Sequence, residues 1–335
     1  MKKLIMTFSL LLVLSIVTAC SGGSSSTDGE AKGKDSITLK LAHTGSDSHQ
    51  YQIGAKEFAD LVEQKSEGTM KVEVHGNSTL GNEAEAIEQV MDGTIEMTVV
   101  AADSSLANTV PEMNLFGLPY VFEDREHVYS KLDGESGAKL LGLLDDKNMK
   151  GLGFWEVGFR HLTNNKKEVN VPSDLKGMKI RVQPAPVWEA HMKALGANAT
   201  PVSFSELYSA LDQGLVDGQE NPLASIYSMK FYEVQNYISL TGHNYTPAVV
   251  IMSNKAWNGL NEEQQKVVEE AVAEAATYQR DFLTKQDEEI ISELQEKGVV
   301  FTEPDRAAFK EATIDVKKAL ENQVPSDLIE EMSAK

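Results

Sequence analysis

The chain has 335 residues, with 51 acidic against 31 basic side chains, a formal net charge of −20 at pH 7 and one cysteine. A body this acidic is repelled by nucleic acid and by anionic membrane surfaces, so neither is expected as a partner. A lone thiol excludes an internal disulfide. The length exceeds what one hydrophobic core usually supports, so two domains are expected.

The chain opens Met1-Lys2-Lys3, runs apolar from Leu4 to Val17, and then reads Thr18-Ala19-Cys20. A basic start, a short apolar core and small residues before a cut site describe a secretory signal over 1–19. The position of Cys20 resembles a lipobox, where the thiol takes a diacylglycerol and becomes the new N-terminus. The expectation is therefore a membrane-anchored lipoprotein outside the cytoplasm. Removing Lys2 and Lys3 with the leader takes the charge from −20 to about −22. Residues 20–36 are Gly/Ser-rich and too polar to pack, which suits a flexible tether. Fields from distant exposed charges are screened over ~8 Å, so a local arginine pair can still hold a small anion.

From Ile37 to His43 apolar and polar residues alternate as in a strand. Ala55, Phe58, Ala59 and Val62 then recur at helical spacing, and Val72 and Val74 mark a second strand. Leu80-Gly81-Asn82-Glu83 leads into a helix with Ile87, Val90 and Met91 on one side, followed by a third strand through Ile95, Met97 and Val99. This is the βαβ rhythm of a mostly parallel sheet, whose ligands bind at the carboxyl ends of the strands. His43, Glu83 and Asp103 sit at such strand ends or helix entrances.

Pro111 to Phe122 reads as a packed, turn-rich segment, and Arg125 to Leu144 as one helix. A strand over Leu152–Val157 is followed at once by Arg160, and a strand over Met178–Val182 contains Arg181. A helix over Val187–Leu195 comes next. Ser203-Phe204-Ser205-Glu206 has the spacing of a capping box, and Gln219-Glu220-Asn221-Pro222 is a polar cluster after the helix it starts. Glu262 to Glu296 holds the longest helical signal, capped by Asn261, with neither glycine nor proline inside. At 1.5 Å per residue it would reach roughly 50 Å. Its apolar stripe is too irregular for a sustained heptad, so a helix packed along both domains of a monomer fits better than a dimeric coiled-coil arm. The end of the chain reads as solvated helix over Arg306–Leu320 and Ser326–Met332.

No His-Glu-x-x-His, Gly-x-Ser-x-Gly, phosphate loop or Gly-x-Gly-x-x-Gly occurs, and the seven histidines lack the spacing of a metal site. Neither a cofactor nor a catalytic centre is expected. The planar fork of arginine can grip a carboxylate through two parallel hydrogen bonds. The plainer reading pairs each arginine with an acidic neighbour. Trp155 and Trp188 leave two readings as well, stacking on a sugar or filling a core.

GFRHLTNN and the run from Asp174 to Gln235 (DLKGMKIRVQPAPVWEAHMKALGANATPVSFSELYSALDQGLVDGQENPLASIYSMKFYEVQ) resemble the DctP-type solute-binding subunits of TRAP transporters. LGNEAEAIEQVMDGTIEM and NLFGLPYVF are similar to the same family's first domain. The resemblance implies an α/β fold of two periplasmic-binding-protein-like lobes, with a long helix spanning both. The expected division is 37–157 plus 246–285 for lobe 1 and 158–245 plus 286–335 for lobe 2. It implies a binding protein rather than an enzyme, one that captures an organic anion and passes it to the membrane subunits of a sodium-coupled permease.

By the same resemblance, Arg181 matches the arginine that clamps the ligand carboxylate. Arg160 matches a second arginine beside it, Asn221 an amide reaching the same group, and Phe204 the cleft floor. His43, Glu83, Asp103 and His243 are the candidates for contacting hydroxyls. Similarity around Ser78–Asn82 and Leu240–His243 points to sugar-acid binders, so a six-carbon sugar acid such as a uronate is the expected ligand. A C4-dicarboxylate or another hydroxy or keto acid is the alternative. A ligand-sensing lipoprotein would use the same cleft. A secreted uronate lyase would need Glu83 and His43 as acid and base.

Overall fold

The computed structural model describes residues 36–335; the expected leader, Cys20 and all but the last residue of the expected 20–36 tether lie outside the described residues. The described residues form ten strands: β1 (Ile37–Ala42), β2 (Met70–His75), β3 (Met97–Ala101), β4 (Met149–Asn164), β5 (Lys179–Val182), β6 (Asn198–Pro201), β7 (Gly218–Pro222), β8 (Tyr237–Ser239), β9 (Tyr245–Ser253) and β10 (Val300–Thr302). Parallel strands need a crossover, and the helices Gln50–Lys65 and Glu83–Asp92 supply it for the parallel set β2-β1-β3. β9 lies antiparallel to β3 on one side and to β4 on the other.

β4 builds two lobes from one chain. Its residues Met149–Phe159 pair with β9, whereas Arg160–Asn164 pair with β7, which adjoins the parallel pair β5-β6. Just before this change of partner the register slips between Glu156 and Gly158, and φ at Gly158 is +125°. A side chain disfavours that conformation, and a Cβ would also stand 3.2 Å from the Pro222 side chain. Glycine is needed there.

The uninterrupted helix Glu262–Glu296 is 35 residues long and opens with a capping box between Asn261 and Gln264. Val268, Ala271, Val272 and Ala275 join the core formed by β1, β3 and the helix Gln50–Lys65. Leu283, Ile290 and Leu294 join a second core around Leu207, Ile226 and Phe231. Between these sets, the Gln279 amide accepts the Glu156 N–H (2.8 Å) and donates to the Gln50 carbonyl (2.8 Å), so the helix is fastened beside the β4 crossover. Among the described residues, no helix is long and apolar enough to cross a membrane.

Four expectations need correction. The helix expected over Arg125–Leu144 is two, Arg125–Leu132 and Glu135–Gly142, because extended backbone at Gly134 starts a second helix. The strand before Arg160 does not stop; antiparallel pairing with β7 carries it through to Asn164. Ser203 and Glu206 bond side chain to side chain (2.6 Å) instead of capping the backbone, so a 3-10 turn precedes the helix Leu207–Asp212. The C-terminal segment is helical but not solvated throughout: Phe309, Val316, Leu320, Val324 and Met332 are buried in the main core. Its apolar residues are sparse enough in sequence to look surface-like, and tertiary packing decides the matter.

Candidate solute-binding cleft

In the antiparallel pair β4–β7, Arg160 stands opposite Pro222, so Glu220 is its diagonal neighbour on the same face. The guanidinium grips the Glu220 carboxylate through Nε to Oε2 and through Nη2 to Oε1 (2.9 Å), with both side chains buried. Nη2 also donates to Asn221 Oδ1 (3.2 Å), and Nη1 to Thr246 Oγ1 (3.4 Å). Burial alone would raise the Glu220 carboxyl, but Arg160 and then His243 override it and bring its pKa down to about 2. The pair is therefore ionised, and Arg160 is already neutralised from within the protein.

Arg181 differs. It projects from β5, is 1% exposed, and donates Nε–H to the Val202 carbonyl (2.9 Å). Its Nη1 is buried without a hydrogen-bond partner, and among the described residues Arg181 forms no salt bridge. Burial lowers its pKa to about 10, only partly offset by the more distant Glu220 and Glu83. It stays charged at neutral pH as an under-compensated buried cation, which is costly unless an anion arrives.

Glu83 opens its helix beside the Asn82 cap, and its carboxylate accepts the Ala101 N–H (3.2 Å). Burial raises its pKa against the pull of Arg181 and Arg160. Asp103 follows β3 and accepts from Thr246 (2.7 Å) and Gln183 (3.1 Å); burial lifts its pKa to about 6. Gln183 follows β5, so this bond links the two lobes. Ser46 bonding the Ser228 carbonyl (3.1 Å) and Gln50 bonding Ser225 (2.7 Å) link them as well.

Between the lobes lies a cavity lined by Thr44, His49, Tyr51, Glu83, Ala101, Val157, Arg160, Gln183, Phe204, Asn221 and Ser225. Its volume of about 10 Å³ is room for roughly one water molecule. In this arrangement the cavity has no room for a larger solute.

Of the residues expected at the site, Arg160, Asn221, Phe204 and Glu83 line this cavity, and Arg181, His43, Asp103 and His243 do not. His43 bonds Gln52 (2.7 Å), and His243 lies between Thr241 (2.7 Å) and Glu220 (3.4 Å). Trp155 and Trp188 are fully buried, their indoles donating to the Val272 and Asp103 carbonyls, which favours the core reading for both. Thr44, His49, Tyr51, Gln183 and Ser225 are lining residues that sequence reasoning did not single out. His49 carried a signal only through its place just before the amphipathic helix that follows β1. Gln183 did too, two positions beyond Arg181. Ser225 carried none. Among the described residues, no group of three or more His, Cys, Asp or Glu could hold a metal.

Two α/β lobes joined through β4, with a polar cleft between them, have the architecture of a two-lobed solute-binding protein. The profile of the bacterial extracellular solute-binding protein family 7 (DctP) matches residues 41–323, and the chain belongs to that family. It is a transporter's solute-binding protein of the TRAP type, not an enzyme. The 2,3-diketo-L-gulonate-binding periplasmic protein YiaO of Escherichia coli K12 is 37% identical over 276 residues, covering 82% of this chain and 84% of its own. The sugar acid binding protein DctPAm of Advenella mimigardefordensis, solved in complex with galactonate, is 33% identical with a TM-score of 0.87, over 89% of this chain and 97% of that one. A TRAP periplasmic solute-binding protein of Sulfurospirillum deleyianum with bound succinate is 35% identical with a TM-score of 0.84, over 89% and 98%.

Proposed function

We propose that this chain is the extracytoplasmic, lipid-anchored solute-binding subunit of a TRAP transporter, capturing a six-carbon sugar acid such as a uronate for a sodium-coupled permease. The observation that carries the reading is the charge arrangement. Arg181 is the buried cation without a carboxylate bonded to it, while Arg160 is spent on Glu220. One ligand carboxylate completes the balance. In this reading Arg181 clamps it when the lobes part and re-close, with Arg160 and Asn221 steadying the same group and Phe204 as floor.

A second carboxylate in the cavity would meet Glu83, whose own charge burial already disfavours. Arg160 is the only arginine or lysine lining the cavity, and it is paired. Besides Glu83 and the apolar Ala101, Val157 and Phe204, the remaining lining offers hydroxyl, amide and imidazole groups, which suit a polyhydroxylated chain. The succinate-bound relative keeps a C4-dicarboxylate as the second reading. A thermal-shift screen of uronates, aldonates and dicarboxylates decides between them. A ligand at 100 times its Kd adds ~2.7 kcal/mol to stability. A uronate or aldonate should give the largest shift; a shift confined to dicarboxylates would contradict the proposal.

A further inference from the structure

Two hydroxyls in the cleft wall, one from each lobe, have hydrogen-bonding capacity that the protein does not use. Thr44, two residues beyond β1, is 4% exposed and lines the cavity, and its Oγ1 is buried without a partner. Ser225, in the first turn of the helix Leu223–Ser228, is fully buried and lines the cavity from the other side.

The protonation state around Ser225 follows from its neighbours. The Tyr51 N–H donates to His49 Nδ1 (3.1 Å), so in the neutral ring the proton sits on Nε2. Burial holds the His49 pKa well below its usual value, which keeps the ring neutral. Nε2–H then points to Ser225 Oγ at 3.3 Å. The Gln50 amide donates to the same oxygen at 2.7 Å; its second N–H donates to the Val157 carbonyl (3.1 Å), which fixes the amide's orientation. Two incoming donors occupy both lone pairs of Ser225 Oγ. Its own O–H has no acceptor among the described residues and remains to be given away.

We propose that Thr44 and Ser225 form a subsite for ligand hydroxyl oxygens, Ser225 acting only as donor and Thr44 as donor or acceptor. The subsite takes a polyhydroxylated chain, since two neutral hydroxyls do not compensate the desolvation of a second carboxylate. This rests on the reading of the ligand as a sugar acid.

The test uses Thr44→Val and Ser225→Ala, titrated calorimetrically with D-galacturonate, D-galactonate and succinate. Thr44→Val removes a hydroxyl without a protein partner, so the ligand-free protein should melt no lower than wild type. Its affinity for the sugar acid that wild type binds should fall about tenfold, because the matching ligand hydroxyl is left unpaired in a closed site. Any succinate binding should stay within twofold. Ser225→Ala should lose sugar-acid affinity similarly, and its melting temperature falls as two buried donors lose their acceptor. Sugar-acid affinity within twofold of wild type in Thr44→Val would overturn the subsite while leaving the ligand reading intact. An equal loss for all ligands with a lower melting temperature would show Thr44 to be structural, and would also overturn it. Wild-type protein that binds neither sugar acid would overturn the ligand reading itself, and the subsite with it.

Discussion

Arg160 and Glu220, diagonal neighbours on antiparallel strands, form a buried bidentate ion pair beside a second buried arginine that has no such partner. Of these two buried positive charges, the protein supplies a bonded carboxylate to only one.

Breaking the pair should therefore both weaken the fold and alter the site. Glu220→Gln leaves the Arg160 charge buried and unpaired, a change that typically destabilises by about 3–5 kcal/mol. Urea unfolding of the ligand-free protein measures this. The same variant holds two free cations, so its preference should move toward dicarboxylates. Unchanged stability and an unchanged ligand order would together show that Glu220 does not govern the charge of the cleft.

Gly158, at a φ of +125°, sits at the register slip two residues before β4 changes partners at Arg160. Gly158→Ala forces a side chain into that backbone and against Pro222, and should destabilise by ~1–3 kcal/mol. If the lobes swing about this crossing, the variant should also shift the open–closed balance. Small-angle scattering with and without ligand reads that out: wild type should contract on saturation, and Gly158→Ala by a different amount. Equal profiles for wild type with and without ligand would indicate a rigid site.

Much of this fold is visible in the sequence, because strand alternation and helical spacing are local signals. β1 to β3, the capped long helix and the position of Arg181 near a strand end all follow from residues within a few positions of one another. What was illegible depends on distant partners. The continuation of β4 past Arg160 exists because β7 pairs with it, and the buried C-terminal helices exist because a core awaits them. In the cleft, the basic residues announced themselves through family motifs. Which arginine is spent and which is free depends on Glu220, a non-local pairing. Thr44 and Ser225 are common residues whose importance lies in where the two lobes bring them.

Burial governs the response to acid. It lowers the pKa of His43 to about 4 and those of His161 and His191 to about 3. Folded, these rings stay neutral while the unfolded chain protonates near 6.5, so the unfolded state binds more protons and stability falls as pH drops from about 6.5 toward 4. Asp103 opposes this, since its folded pKa of about 6 favours proton uptake by the folded state between about 6 and 3.8. Glu83, also raised by burial, acts in the same direction, but each offsets only one ring. The histidines outnumber them, so a net loss is expected. Each uncompensated ring contributes about 1.4 kcal/mol per pH unit. Chemical unfolding at pH 7, 6 and 5 should show falling stability, with a shallower slope in His161→Asn. A flat profile would mean that these rings titrate in the folded state.

The central claim is that Arg181 holds the carboxylate of a bound sugar acid. Isothermal titration of wild type, Arg181→Lys and Arg181→Ala with the uronate or aldonate giving the largest thermal shift tests it most directly. A point charge cannot reproduce the planar fork, and charge-assisted hydrogen bonds contribute roughly 1.5–3 kcal/mol each. Arg181→Lys should therefore weaken binding at least tenfold, and Arg181→Ala further still, with both variants folded. Binding by Arg181→Lys within twofold of wild type would contradict the account.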